Sequence, residues 1–419
     1  MADFFQNGVI TTLNKIRTDN VERLEAQLRR FNEVSPISLL LPCLYSELEG
    51  PALRNIVDVL SKVDYLDEIV VVLGRAHTSE FLHAIDFFSP LRNCTILWLD
   101  SPRMKAIFKL LDENEIQVNI PGKGQAVWIG IGYILGKRRA DTIVLHDCDI
   151  LTYDSGFIAR LCYPIANPSF DYEFTKGFYA RASNRLNGRA SRLLVNPLSR
   201  ALRHHAGQGG KHPFLDYLDS FRYALAGEMA IRRELARINR IPMDWGLEVG
   251  TLAEVFRNSS TKRVCQVEVC DVYDHKHQDL SADDPGGGLF RMSIDITRSI
   301  LYTLASEGVS FSAGFIRSLT AAYLRNAQDA IVHYHAVASY NGFQFDRHAE
   351  ETAIETFAEG IKIACEVFLQ EPLESPQAPN WNRVAAAVPG LMGQLVQAVA
   401  EDNANPSVEI LTGELKERV

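Results

Sequence analysis

Thr142-Ile143-Val144-Leu145-His146-Asp147-Cys148-Asp149 is the stretch whose reading decides the fold. An apolar run this short is too brief for a helix and reads as a strand buried on both faces, and Asp147-Cys148-Asp149 marks where it stops. A strand covered on both faces belongs to a parallel sheet with helices on either side. The same pattern recurs upstream at 37–41, 68–73 and 94–99, and helical segments near 52–63, 79–88 and 124–135 separate these runs. This alternation predicts an α/β fold, a Rossmann-like and mostly parallel sheet flanked by helices.

Further out the pattern changes. Residues 1–33 read as a helical extension, with Val21, Leu24, Leu28 and Phe31 at helical spacing. Downstream, a strand is expected at 172–179, a polar stretch with glycines at 187–210, helical text over 214–237 and an alternating strand at 263–272. From Asp295 the chain reads as helical to about Leu369, a proline-rich piece at 371–379 links to a last helix near 381–400, and a polar tail follows. Helices with apolar stripes there suit either an association surface or a lid.

Composition excludes several classes. With 419 residues, 47% of them hydrophobic, the chain can bury a large core. A net charge of -9 argues against general nucleic-acid binding, which needs an extended basic surface. No run of 18 apolar residues suggests a membrane span, and the N-terminus carries charges at short intervals, so a cytoplasmic protein is expected. The seven cysteines are odd in number and form no CxxC pair, which argues against a disulfide framework or a thiolate zinc site.

Four motifs carry chemistry. Asp147 and Asp149 would place hard oxygen ligands for Mg²⁺ or Mn²⁺ at the carboxyl end of a central strand, where open α/β sheets bind ligands; a plain turn is the competing reading. Gly122-Lys123-Gly124 precedes a helix, so free backbone N–H groups and the Lys123 ammonium could meet a diphosphate. Pro42-Cys43-Leu44-Tyr45-Ser46-Glu47 ends the first predicted strand and could hold a base and ribose, or be an ordinary turn. In Tyr273-Asp274-His275-Lys276-His277, either histidine could complete an oxygen-rich metal site. His204-His205 and His333 with His335 lack acidic partners at ligand spacing and read as structural.

These motifs, in this order, resemble the glucosyl-3-phosphoglycerate synthase family, retaining GT-A glycosyltransferases related to the mannosylglycerate synthases. The resemblance runs in patches from about residue 37 to 280. Besides the blocks at 42–47, 122–128 and 147–149, Lys176-Gly177-Phe178-Tyr179, Gly188-Arg189-Ala190-Ser191 with Asn196-Pro197-Leu198, and Ala226-Gly227-Glu228 with Gly246-Leu247-Glu248-Val249-Gly250 carry it.

The resemblance implies a GT-A fold with a nucleotide-sugar-binding half at 34–150, an acceptor-binding half at 151–290 and a helical C-terminal region at 291–419. It implies metal ligation by Asp149 and His275, with Mg²⁺ or Mn²⁺ as cofactor. The donor would lie along Pro42, Leu44, Glu47, Gly122, Lys123, Asp147, Cys148, Ala226 and Gly227. Leu225 and Glu248 would be the catalytic residues beside the reacting sugar. Arg189, Ala190 and Ser191 would hold the acceptor, a reading the chemistry supports because a guanidinium meets phosphate bidentately.

Glucosyl transfer from UDP- or GDP-glucose to 3-phosphoglycerate is the implied activity, in a homodimer with no nucleic-acid or membrane partner. Mannosyl transfer from GDP-mannose to glycerate or phosphoglycerate is one rival, and a non-catalytic nucleotide-sugar-binding protein is another. The chain departs from the family pattern at Tyr273, where an arginine is expected, at Tyr45-Ser46 in place of Asn-Glu, and at Leu73-Gly74-Arg75, which lacks Asp-Ser.

Overall fold

The computed structural model describes residues 6, 8–206, 211–274, 288–371 and 377–404. Ten strands are present among them: β1 (Thr11–Leu13), β2 (Ile37–Leu44), β3 (Glu68–Gly74), β4 (Cys94–Trp98), β5 (Thr142–Leu145), β6 (Phe174–Ala180), β7 (Met229–Arg232), β8 (Ile241–Pro242), β9 (Val264–Val272) and β10 (Gln377–Ala378). Eight form one sheet in the order β1-β9-β6-β7-β5-β2-β3-β4, and β8 pairs with β10 in a small antiparallel ribbon. Every neighbour in the large sheet is parallel except β7, which runs antiparallel to β5 and β6. Residues alternate between two cores: Leu40, Val70, Val72, Ile143 and Leu145 face one, and Leu39, Leu41, Ile69, Val71 and Val144 the other. Burial on both faces is why these strands lack polar alternation, and the expected α/β class is the one observed.

The first helices are α1 (Val21–Val34), α2 (Pro51–Leu60), α3 (Thr78–Phe88), α4 (Pro102–Glu113), α5 (Lys123–Lys137) and α6 (Ser155–Ala166). Next come α7 (Asn196–Ala206), α8 (Pro213–Ser220), α9 (Arg233–Ile238) and α10 (Leu247–Asn258). The C-terminal set is α11 (Gly288–Ser306), α12 (Ala313–Tyr340), α13 (Arg347–Gln370), α14 (Trp381–Ala387) and α15 (Leu391–Ala404).

Two sequence expectations fail in the middle of the chain. The polar stretch at 187–210 is largely helical: a π-helical turn over Ala190–Val195 runs into α7 and buries Leu193, Leu194, Leu198, Ala201 and Leu202. Its arginines and Pro197 hide this apolar face in the sequence. The helical text over 214–237 is broken by β7, whose four residues sit between β5 and β6. So short an apolar run has no period of its own, and the two neighbouring strands decide its state. Strand β1 and helices α4 and α6 were also not anticipated.

The C-terminal helices share a core with the sheet. Trp381 stacks on Trp128 of α5 with ring centroids 4.3 Å apart and planes 20° from parallel, and its indole N–H donates to the Trp128 carbonyl at 3.1 Å. Gly132 permits this, since any Cβ there would overlap the Trp381 ring. Gly132→Ala should therefore destabilise by about 1–3 kcal/mol through overpacking, read as a lower thermal midpoint with no change in the order of substrate preferences. Among the described residues no single helix is long and apolar enough to cross a membrane; α14 and α15 pass that test only as a pair bent by 97°. Trp381, Leu391 and Leu395 of that pair are buried in the protein core.

Candidate active site

The antiparallel insertion of β7 builds the site. Because Leu145 pairs with Met229, Gly227 and Glu228 arrive beside His146 and Asp147, at the carboxyl end of β5. His146 is wholly buried, with Nδ1 2.9 Å from the Asp147 carbonyl and Nε2 3.0 Å from the Tyr153 hydroxyl. Burial pulls its pKa down to about 4, so the ring is neutral at pH 7. A carbonyl can only accept, so Nδ1–H donates to it and Nε2 accepts from Tyr153. The turn carrying Asp147-Cys148-Asp149 is thereby pinned from below. The Cys148 thiol is buried against Cys43, and that contact together with burial raises its pKa. Cys148 therefore offers the site its backbone and not its sulfur.

Lys123, the first residue of α5, bridges two acidic groups. Its ammonium lies 2.6 Å from Asp147 Oδ1 and 3.1 Å from Glu248 Oε1 in the first turn of α10. Burial opposes the charge on Lys123, but Asp147 and Glu248 outweigh it and hold the ammonium strongly protonated. Residues from three separate predicted motifs thus converge. Gly227 completes the group: a Cβ there would stand 2.5 Å from Asp147 Oδ2 and 2.8 Å from Lys123 Nζ. Gly227→Ala should push this pair apart and cut turnover about tenfold or more, consistent with the sensitivity of such sites to sub-ångström misplacement; the same variant should keep a wild-type melting profile to within a few degrees.

A second, buried layer is made of residues that the sequence reading quoted only as marks of resemblance or departure, without a role. Glu228 is fully buried and accepts hydrogen bonds from Tyr179 at 2.6 Å and Tyr273 at 2.8 Å, while those two rings stack 3.9 Å apart and 6° from parallel. Burial, then Asp147, raises the Glu228 pKa, and the two hydroxyls oppose that rise. Tyr273, the residue that departs from the family pattern, is thus a ligand of Glu228. Arg181 donates to the Tyr223 hydroxyl at 2.8 Å and lies over the rings of Tyr223 and Tyr273. Lys176 of β6 is wholly buried near the same charges. A lysine in an otherwise apolar strand, Phe174-Thr175-Lys176-Gly177-Phe178-Tyr179, was the available signal.

The predicted acceptor residues form a neighbouring group. Arg189 leads into the π-helical turn and donates through Nε to Glu350 Oε1 at 2.7 Å; Arg192 donates to Glu350 Oε2 at 2.8 Å and lies over the Tyr334 ring. Glu350 stands on α13, so the C-terminal region reaches this group directly. Ser191 and Ala190 are buried, and Ser191 lies against Tyr223, which Arg181 links to the Tyr273 stack.

Of the other predicted residues, Leu225 is half-buried against the core and Ala226 is fully buried, so the backbone of this segment is what can line a ligand. Pro42 and Leu44 end β2, with Leu44 exposed, and Glu47 lies in the short 3₁₀ turn Tyr45–Glu49 that follows. Gly122 caps α5.

Among the described residues no three His, Cys, Asp or Glu side chains form a metal-binding group. Asp149 is half-exposed at the end of the β5 turn, and His275 and His277 lie outside the described residues. The oxygen chemistry of Asp149, with Asp147 beside it, suits a hard divalent ion such as Mg²⁺ or Mn²⁺.

An open sheet with an Asp-x-Asp turn at a strand's carboxyl end, a lysine at a helix start and a glycine-lined approach defines a GT-A glycosyltransferase. No family model matches the chain. It is 46% identical over 406 residues to the glucosyl-3-phosphoglycerate synthase of Persephonella marina, which covers 97% of this chain and 100% of that protein. It is 36% identical to that of Methanococcoides burtonii, over 96% of this chain and 98% of the relative. The chain belongs to the glucosyl-3-phosphoglycerate synthase family and is a hexosyltransferase. Among solved structures it matches the Mycobacterium tuberculosis glucosyl-3-phosphoglycerate synthase in complex with Mn²⁺, UDP-glucose and phosphoglyceric acid, at TM-score 0.52 and 22% identity, over 72% of this chain and 89% of that one. At that identity the match speaks to the fold. The family relationship extends well past residue 280, where the sequence motifs end.

Proposed function

We propose that this protein transfers glucose from a nucleoside-diphosphate glucose to 3-phosphoglycerate, giving glucosyl-3-phosphoglycerate with retained configuration. The observation that carries the reading is the Lys123 bridge to Asp147 and Glu248 beside Gly227, a compact charged cluster at the sheet's carboxyl end. Lys123 and the N-terminus of α5 would take the donor diphosphate, Glu248 and the Leu225–Gly227 backbone would line the sugar, and Pro42, Leu44 and Glu47 the nucleoside. Arg189 and Ser191 would hold the acceptor's anionic groups.

Asp149 and His275 would hold Mg²⁺ or Mn²⁺, which supplies charge neutralisation to the departing diphosphate. The acceptor's 2-hydroxyl forms the new C–O bond at the anomeric carbon on the face from which the diphosphate leaves, and its proton passes to the diphosphate. Among the described residues no side chain is poised as a covalent nucleophile, so rate would come from positioning and from fixed charges. A homodimer belongs to the same reading, with exposed Val332, Val337 and Tyr340 of α12 supplying apolar surface.

The test is nucleotide release with Mg²⁺ or Mn²⁺, crossing UDP-glucose, GDP-glucose and GDP-mannose against 3-phosphoglycerate and glycerate. Release that needs a glucose donor and 3-phosphoglycerate supports the reading and identifies the nucleotide. Release with a mannose donor or with glycerate alone moves the substrate, and silence in every combination refutes transfer.

A further inference from the structure

Lys176 has no place in the chemistry above, yet it lies at its centre. The residue is wholly buried and its ammonium has no hydrogen-bond partner among the described residues. The next residue, Gly177, brings β6 so close to Glu228 that a Cβ would stand 3.0 Å from the Glu228 Cβ. The charges that act on the ammonium are Glu248 from α10, Glu228 ahead of β7, Lys123 from α5 and Asp147 after β5. Burial pulls its pKa down to about 8, and Glu248 and Glu228 oppose that fall.

An unpaired buried ammonium is a liability for stability, and a methionine of similar length would fill the same space without it. The charge therefore needs a reason, and the cluster supplies one. Asp147, Glu228 and Glu248 are three carboxylates that act on one another and on the ammoniums of Lys123 and Lys176. Without Lys176 strand β6 would bring no positive charge to these three carboxylates, in a pocket that is to admit a diphosphate.

We infer that Lys176 is a positioning residue of the transferase centre: from behind the pocket its ammonium offsets Glu228 and Glu248, keeps the Lys123–Glu248 bridge in place and lowers the negative potential that the donor diphosphate meets. This rests on the reading of the pocket as the donor site. Lys176 acts through its neighbours, since its full burial keeps it from touching substrate.

The experiment compares Lys176→Met with the double variant Lys176→Met/Glu228→Gln, using binding of UDP and of GDP in the presence of Mn²⁺, steady-state turnover and thermal melting. Wild-type protein is measured first: failure to bind either nucleotide would overturn the donor-site reading and this inference with it, whereas wild-type binding isolates the role of Lys176. Lys176→Met should melt at or above the wild-type temperature, bind the nucleotide at least tenfold more weakly and lose at least tenfold in kcat with acceptor KM within threefold. Removing the Glu228 charge in the double variant should restore much of the nucleotide affinity, a rescue that a merely structural lysine would not show. Wild-type affinity and kcat in Lys176→Met, or a loss that Glu228→Gln leaves unrelieved, overturns the inference. Should Lys176→Met not fold, Glu228→Gln alone decides: it should tighten nucleotide binding, and unchanged or weaker binding counts against the inference.

Discussion

Asp149→Ala is expected to abolish turnover, by about a thousandfold or more, and to remove the dependence of any residual rate on Mg²⁺ or Mn²⁺. Loss of a metal-centred charge clamp on a leaving group costs several kcal/mol of transition-state stabilisation, and each 1.4 kcal/mol is about tenfold in rate. The fold should survive, because Asp149 is half-exposed while the turn that carries it is held by His146, Tyr153 and the buried Cys148. Nucleotide release across a Mn²⁺ titration, with a melting curve on the same sample, checks both halves of the statement. Full activity with an unchanged metal dependence would remove Asp149 from the metal site.

Arg189→Ala should separate the two kinds of acceptor. A guanidinium meeting a phosphate makes charge-assisted bonds that a truncated side chain cannot replace, so kcat/KM for 3-phosphoglycerate should fall about a hundredfold. Use of unphosphorylated glycerate should change by less than about fivefold, because the lost contact belongs to the phosphate. Structural damage should be slight. Glu350 keeps Arg192 at 2.8 Å, and the Arg189 side chain is partly in solvent, so the lost ion pair is worth roughly 1 kcal/mol or less. Equal losses with both acceptors would take Arg189 out of the phosphate site.

The turns that bring Lys123 and Asp147 together were in large part legible in the sequence. Strands β2 to β5 announce themselves as unbroken apolar runs, and the Asp-x-Asp turn and the glycines before α5 follow from where those runs end. Residues at such turns are fixed by local chemistry, so sequence finds them. The buried layer was not legible for the opposite reason. Lys176, Tyr179, Glu228 and Tyr273 come from three strand ends and acquire their roles only from one another.

Strand β7 brings those segments together, and its four residues carry no signal apart from the neighbours on either side. Glu350 shows the same limit beside the predicted acceptor residues, since it meets Arg189 across 161 positions of sequence. Nothing near Glu350 in the chain marks it as the partner of two arginines at a distant helical turn.

The stack of Trp381 on Trp128 also bears on how the protein is made. Helix α5 presents Lys123 at one end and takes Trp381 against its flank, and the residues joined there are 253 positions apart. A chain leaving the ribosome exposes the Asp-x-Asp turn and Lys123 long before the tryptophan that braces their helix has been synthesised. Contacts of such long range form late because their loop must close first. The transferase pocket should therefore mature only once Trp381 has left the ribosome, and chains cut short before Trp381 should be unable to hold the donor.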